Sequence, residues 1–287
     1  MPTYGCIASA HPGAACRNGM HRTITATMGW RIEAWEEPAG GAASQDGQLV
    51  WPDVARDRLR VAVLDGVTPT RNTRSVVGVD GAMYAAAVVR LALQQPDCEL
   101  EDCLLTANSH LHDPDLARTR DQLQTCATVA DVFADGHVEI VRAGDCEAWA
   151  RTAEGWVSLG CGTALTASVA EAWGEWQRSN GAVSRETRHE AEERFLGRRE
   201  AWTSTALGRF ERPRIQRFSA TGVRELVLAS DGARLSEAVL DELPSWITEL
   251  RSWERRCAGL GRAGEKVHDD VTVLRGVRGA VPLALAA

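Results

Sequence analysis

The chain has 287 residues, 44% of them hydrophobic and 25% charged, with a formal net charge of -7. That makeup is of a globular domain, not a disordered or fibrous chain, and the negative balance argues against a nucleic-acid partner. No uninterrupted apolar run is long enough to span a bilayer, since Arg90 breaks the stretch from Ala82 to Leu93, so no membrane partner is expected. The eight cysteines include no Cys-x-x-Cys pair and no Cys/His cluster with zinc spacing. They read as free thiols of a reducing compartment, Cys146 included, as a small space-filling residue and not a nucleophile. The first thirty residues lack a continuous apolar core, so a cytoplasmic location is expected.

Residues 1 to 27 show no period and are expected to form a loose tail, with Met28 a natural beginning of the folded part. Trp30 to Trp35 alternates apolar and polar residues as a strand does, and Leu49 to Trp51 is a short strand candidate. Arg60 to Leu64 reads as a buried strand. A helix is predicted from about Ser75 to Gln94, its small residues Gly78, Gly81, Ala82, Ala85 and Ala86 permitting close packing. A second helix is predicted over Glu99 to His110, with Asp97 as its cap. Gln124 to Ala134, Val138 to Ala143, Cys146 to Arg151 and Trp156 to Leu159 read as a meander of four strands, with turn signals at Asp135-Gly136 and Glu154-Gly155. Residues 161 to 210 are polar and carry a charge run from Arg185 to Glu200, read as a solvated helix face within an insertion. Arg214 to Ser219 and Glu225 to Ala229 resume the strand pattern. Leu235 to Leu240 and Pro244 to Cys257 read as helices, Val271 to Leu274 as the closing strand, and Gly276 to Ala287 as a frayed tail. Segregated runs of strand and helix predict an α+β fold.

The recurring device is an acid at the mouth of a buried strand. Val61-Ala62-Val63-Leu64-Asp65-Gly66, Ile140-Val141-Arg142-Ala143-Gly144-Asp145 and Leu226-Val227-Leu228-Ala229-Ser230-Asp231-Gly232 end on one, and His268-Asp269-Asp270-Val271-Thr272-Val273-Leu274 opens on a pair. Asp-Gly alone is as often a plain turn. Several such rims brought together are different, because converging carboxylates repel unless a cation lies between them, and hard oxygen ligands suit Mg²⁺ or Mn²⁺.

Taken in order, Val-Leu-Asp65-Gly66, Gly144-Asp145-Cys146, Ala229-Ser230-Asp231-Gly232 and Asp269-Asp270-Val271-Thr272-Val273 resemble the motifs of the metal-dependent protein phosphatases of type 2C. Gln45-Asp46 is similar to that family's N-terminal acidic motif, and Thr125-Cys126-Ala127-Thr128 to its Gly-Thr-Thr strand. The resemblance covers roughly residues 29 to 275. It implies a four-layer α-β-β-α sandwich of two antiparallel sheets, with residues 28–275 as the catalytic domain and 161–210 as its flap insertion. It implies a site for two Mn²⁺ or Mg²⁺ ions, with a third, weaker one at Asp145. Asp65 would bridge both ions, the Gly66 carbonyl would serve one, Asp231 and Asp269 would complete one shell, and Asp46 would help hold the other. Asp65 and Asp231 are accordingly the expected catalytic residues. The implied activity is hydrolysis of phosphoserine and phosphothreonine in proteins by a water activated between two ions, with no covalent phosphoenzyme.

The chain departs from the family at four places. No Arg lies near Gly41, where the family's phosphate-holding Arg is expected; Asp65-Gly66-Val67-Thr68-Pro69-Thr70 replaces Asp-Gly-x-Gly; Gln45 stands for Glu, and Asp270 for Asn. Arg71 or Arg74 is the expected substitute for substrate phosphate. His268, beside Asp269, reads as a strand-edge residue rather than a proton donor. These differences leave two alternatives open: a phosphatase of a small phosphorylated metabolite, and a weakly active domain that binds a phosphoprotein. The partner is then a phosphoprotein or a phosphorylated small molecule.

Overall fold

The structure, a computed structural model, describes residues 20–25, 28–38, 44–67, 80–113, 116, 123–160, 164–181, 184–257 and 269–279. Its strands are β1 (Met20–Thr25), β2 (Trp30–Glu37), β3 (Gly47–Asp53), β4 (Arg58–Gly66), β5 (Thr125–Phe133), β6 (Val138–Ala143), β7 (Glu147–Thr152), β8 (Gly155–Ser158), β9 (Gln216–Ala220), β10 (Glu225–Ala229) and β11 (Val271–Arg278). Its helices are α1 (Gly81–Leu93), α2 (Leu100–Leu111), α3 (Ala167–Asn180), α4 (Arg185–Ala191) and α5 (Leu243–Cys257).

Strand β4 explains the layering. Successive side chains of a strand point to opposite faces. Leu59, Val61 and Val63 face one way, into a core shared with Trp30, Ile32, Ile140, Leu226, Leu228 and Leu274. Ala62 and Leu64 face the other, against Ala85, Ala86 and Val89 of α1 and Leu104 of α2. A strand buried on both faces needs no polar alternation, so its sequence reads as a continuous apolar run. The strands form two antiparallel sheets in the orders β1-β2-β11-β10-β7-β8 and β3-β4-β5-β6-β9. A third apolar layer packs Leu243, Ile247 and Leu250 of α5 on Trp35, Val227 and Val273. Helices α1 and α2, two sheets and α5 therefore make the four-layer α-β-β-α sandwich that the resemblance implied. Among the described residues no helix is long and apolar enough to cross a membrane.

The four-strand meander is corrected. β5 and β6 pair in one sheet, whereas β7 and β8 belong to the other. The chain changes sheets at Gly144-Asp145-Cys146. Gly144 has φ +93°, and a Cβ there would meet Cys126 Sγ at 2.3 Å, so the crossing fits only glycine. Local turn signals cannot tell a hairpin from a change of sheet; the pairing partners decide.

Several boundaries move for identifiable reasons. Met28-Gly29, with both φ positive, is the turn of the β1–β2 hairpin, and the end of the supposed tail is edge strand β1. Helix α1 starts at Gly81, where the Asp80 side chain accepts from the Ala82 and Met83 N–H groups at 2.9 and 3.4 Å; residues 75–79 lie outside the described residues. Asp97 does not cap α2. It has φ +62°, and the N-cap position is Glu99, whose carboxylate is engaged by Arg56. The expected helix at Leu235 to Leu240 is a 3-10 turn over Glu237–Glu242. β11 continues to Arg278, and Gly279 N–H reaches the Gly29 carbonyl at 2.7 Å, so residues 276–278 are strand and not frayed. The insertion is helical: Trp173 is the buried residue of α3, stacked on Trp176 at 4.8 Å between centroids. The described part of the charge run is mostly exposed, as a solvated face is.

Candidate metal centre

Antiparallel pairing places the acids at one end of the sandwich. Asp65 ends β4 opposite Cys126, and Gly66 lies opposite Thr125. Ala229 pairs with Val273, so Asp231 leaves β10 on the rim where Asp269 enters β11. Asp145 comes from the crossing between sheets, and Asp46 from the connection between β2 and β3.

Two glycines let these segments touch. A Cβ on Gly66 would fall 2.5 Å from the Gln45 carbonyl oxygen and 2.8 Å from Ala82 Cβ, so only glycine lets residues 45–46 lie over the end of β4. A Cβ on Gly232 would fall 2.1 Å from the Asp270 carbonyl oxygen and 3.1 Å from Asp269 Cβ. Backbone cannot give way as a side-chain tip can. Gly232→Ala is therefore expected to push Asp231 away from Asp269 and cost about 1–3 kcal/mol. Chemical denaturation checks this, and an unchanged midpoint would contradict the close approach.

Hydrogen bonds fasten the rim. Asp270 Oδ2 accepts the Gln45 N–H at 2.6 Å, which ties the β2–β3 connection to β11 and gives Asp270 a structural task. The Ser230 N–H donates to the Thr272 carbonyl at 2.9 Å, and the Thr272 N–H donates to Ser230 Oγ at 3.0 Å. Thr125 Oγ1 donates to the Asp65 carbonyl at 2.9 Å. From α5, Arg251 Nη1 donates to the Asp269 carbonyl at 2.9 Å.

The electrostatics are those of crowded acids. Asp65 keeps some surface open to solvent, yet desolvation is the largest cause lifting its carboxyl well above the usual range; repulsion from Asp46, Asp231, Asp145 and Asp269 adds to it. The Asp46 carboxyl is pushed up to about 7, by burial first and then by Asp270 and Asp269, with the Ser230 and Thr272 side chains pulling partway back. Asp46 Oδ2 is buried and has no hydrogen-bond partner among the described residues. Asp231 is exposed at the mouth. The Cys126 and Cys146 thiols are buried and pushed well above their ordinary value by burial and by neighbouring acids, so neither serves as a nucleophile.

The structure thus brings Asp46, Asp145, Asp231 and Asp269 within electrostatic reach of Asp65. Among the described residues no three His, Cys, Asp or Glu side chains converge tightly enough to hold one ion by themselves. Carboxylates are the hard ligands that Mg²⁺ takes, one or two to an ion that retains several waters. The orphaned Asp46 oxygen and the repulsion at Asp65 both call for a cation, so the donor set fits a hard divalent metal. Arg71, Arg74 and His268 lie outside the described residues.

Sequence reasoning missed four neighbours. Glu147, whose pKa is raised by burial and which feels Asp231 and Asp145, stands two residues past the Gly-Asp motif and was taken as ordinary strand. Ser230 and Thr272, both buried, flank the acids of their motifs. Arg209, at the end of the insertion, feels Asp145, and no local pattern distinguishes it from the other arginines there.

No protein-family model and no curated protein sequence matches the chain. Solved structures do. RsbX in complex with magnesium superposes with a TM-score of 0.55 at 11% identity, over 90% of this chain and 99% of that one. Serine/threonine phosphatase Stp1 from Staphylococcus aureus gives 0.52 at 14% identity, over 92% and 100%. PppA, a key regulatory component of T6SS in Pseudomonas aeruginosa, gives 0.52 at 12% identity, over 89% and 99%. The chain has the fold of these bacterial type 2C phosphatases.

Proposed function

We propose that this chain is a divalent-metal-dependent phosphatase that hydrolyses phosphate monoesters, with phosphoserine or phosphothreonine in proteins as its substrate. The observation that carries the proposal is Asp65, a carboxylate at a strand end on which Asp46, Asp231, Asp145 and Asp269 all act. So costly a cluster is expected where a cation binds. The shared fold with serine/threonine phosphatases supports the same reading.

In this proposal Asp46, Asp65, Asp231, Asp269 and the Gly66 carbonyl hold the ions, Mn²⁺ or Mg²⁺, and Asp145 serves a third. The bound ions supply a water acidified to near-neutral pKa and neutralise the phosphoryl oxygens. The chain's own part is to hold. The Asp270–Gln45 bond fixes the segment that carries Asp46, with Gln45 against Gly66, and Thr125 fixes the carbonyl of Asp65 itself. The Cys126 and Cys146 thiols are buried with their pKa values pushed up, so neither is a nucleophile, and attack in this proposal falls to water.

The test is p-nitrophenyl phosphate hydrolysis with Mn²⁺, with Mg²⁺ and with EDTA, then a panel of phosphopeptides against phosphorylated metabolites. Turnover lost in EDTA and restored by either ion is the expected result. Folded protein that binds metal but never turns over would overturn the enzymatic reading. Preference for metabolites would overturn only the protein substrate.

A further inference from the structure

The chain returns from the insertion through residues 204–211, and this return is unusually well fixed. Leu207 and Thr125 exchange both backbone hydrogen bonds, at 3.1 and 2.9 Å, and Thr125 is the residue that holds the Asp65 carbonyl. Asn108, buried in α2, clamps the next residues: its Oδ1 accepts the Gly208 N–H at 2.8 Å, and its Nδ2 donates to the Phe210 and Glu211 carbonyls at 3.1 Å each. Gly208 has φ +82°, and a Cβ there would lie 1.8 Å from the Leu123 carbonyl oxygen. Arg209 is therefore mounted on a rigid segment two residues beyond the bond that joins it to the metal-centre strand.

Its side chain is also fixed. The guanidinium lies over the Trp202 ring at 4.4 Å from the centroid and 5.7 Å from that of Phe210, and Nη2 donates to the Leu196 carbonyl at 3.1 Å. Among the described residues no carboxylate forms an ion pair with it, and Nε and Nη1 make no hydrogen bond. Asp145 and Glu192 act on it only from a distance. Half-buried, the guanidinium keeps its Nε and Nη1 groups within reach of solvent and hence of a ligand. Its remaining N–H groups form the planar fork that matches two phosphoryl oxygens.

We propose that Arg209 is a substrate-binding residue that receives the phosphoryl oxygens of the phosphate ester at the Asp145 side of the site. This rests on the phosphatase reading, and it commits to an anion with at least two free oxygens on phosphorus. Arg209 would hold the ester where the carboxylates' ions meet it, contributing to ground-state binding as much as to turnover.

The experiment compares wild type, Arg209→Ala and Arg209→Gln, the last keeping bulk over Trp202 while removing the charge. For each, KM and kcat for p-nitrophenyl phosphate and the affinity of the Mn²⁺-loaded protein for inorganic phosphate are measured. Loss of one charge-assisted contact is expected to weaken phosphate affinity and raise KM by about ten- to hundredfold, with a smaller change in kcat and partial recovery of Arg209→Ala by millimolar guanidinium. Unchanged phosphate affinity in a folded variant overturns the proposal and leaves Arg209 as a stacking clamp. If the alanine variant does not fold, the glutamine variant decides by the same readout. If wild type hydrolyses nothing, the phosphatase reading falls, and phosphate binding in wild type against the variants still decides on Arg209.

Discussion

Asp65→Asn is expected to abolish metal-dependent phosphate-ester hydrolysis, by about 10³-fold or more, while raising the melting temperature of the metal-free protein. The two effects share one cause. Asp65 is crowded by Asp46, Asp231, Asp145 and Asp269, so its charged form is held at a loss unless a cation is present. Asparagine keeps the shape and removes the charge. The gain is several degrees, since each kcal/mol is worth about 2–4 °C in a chain of this size.

The pH dependence follows with a definite sign. A carboxyl whose pKa is raised on folding keeps a proton that the unfolded chain releases, so its contribution favours the fold at low pH. That contribution declines as pH rises above the ordinary carboxyl value of 3.8 and is gone above about 7, the value for Asp46. The metal-free wild type should therefore lose stability as pH rises towards 7 through Asp46, and Asp65, raised in the same direction, should make that loss larger than in Asp65→Asn, with Mn²⁺ restoring it most at the alkaline end. Thermal melts of both proteins with and without Mn²⁺ across that range are the check. A melting temperature that falls in Asp65→Asn without metal, or activity that survives, would refute the crowded-acid account.

Asp131→Ala is expected to cost about 3–5 kcal/mol of stability, at a distance from the acid cluster. Asp131 is fully buried and pairs with two buried arginines. Its Oδ2 meets Arg58 Nη1 at 2.6 Å, and its Oδ1 meets Arg60 Nε at 2.8 Å. Arg60 in turn donates to the Leu93 carbonyl at 3.0 Å and the Cys98 carbonyl at 2.9 Å, which fastens the end of α1 and the α1–α2 connection to β4. Removing the carboxylate leaves Arg60 buried without a counter-charge, although Arg58 retains Asp53 at 2.9 Å. Guanidinium or urea denaturation measures the loss. Arg60 and Asp65 are five residues apart on β4, about 17 Å at strand spacing, so kcat of the folded fraction should hardly change. A drop in kcat comparable to that of Asp65→Asn would mean that the ion network and the acid cluster are coupled.

This network also marks where sequence reading stops. Arg58, Arg60 and Asp131 sit at the polar-looking ends of apolar runs and carry no pattern that says they will be buried together. They meet because β4 and β5 pair with Arg60 opposite Asp131, and register is a property of two strands. The change of sheet at Gly144-Asp145-Cys146 was hidden for the same reason: both hairpins on either side are locally correct, and only their partners differ. Asp97 has the residue type of a cap, but it adopts a left-handed turn, and the cap position falls two residues on, at Glu99.

What the sequence determined by itself was local and periodic: the buried strands, α1, α2 and α5 to within a few residues, and an acid at the mouth of strand after strand. From these, and from the order of the short motifs, the two-sheet fold followed. What only the tertiary structure decided was proximity. It buried one Asp46 oxygen without a hydrogen-bond partner among the described residues, gave Asp270 the Gln45 N–H as a partner, and set Arg209 on a clamped segment within electrostatic reach of Asp145. Alternation and capping act over a few bonds and leave their mark on neighbouring residues. Burial, repulsion and hydrogen bonding act across space between residues as far as 225 positions apart, and those are fixed only when the strands choose their partners.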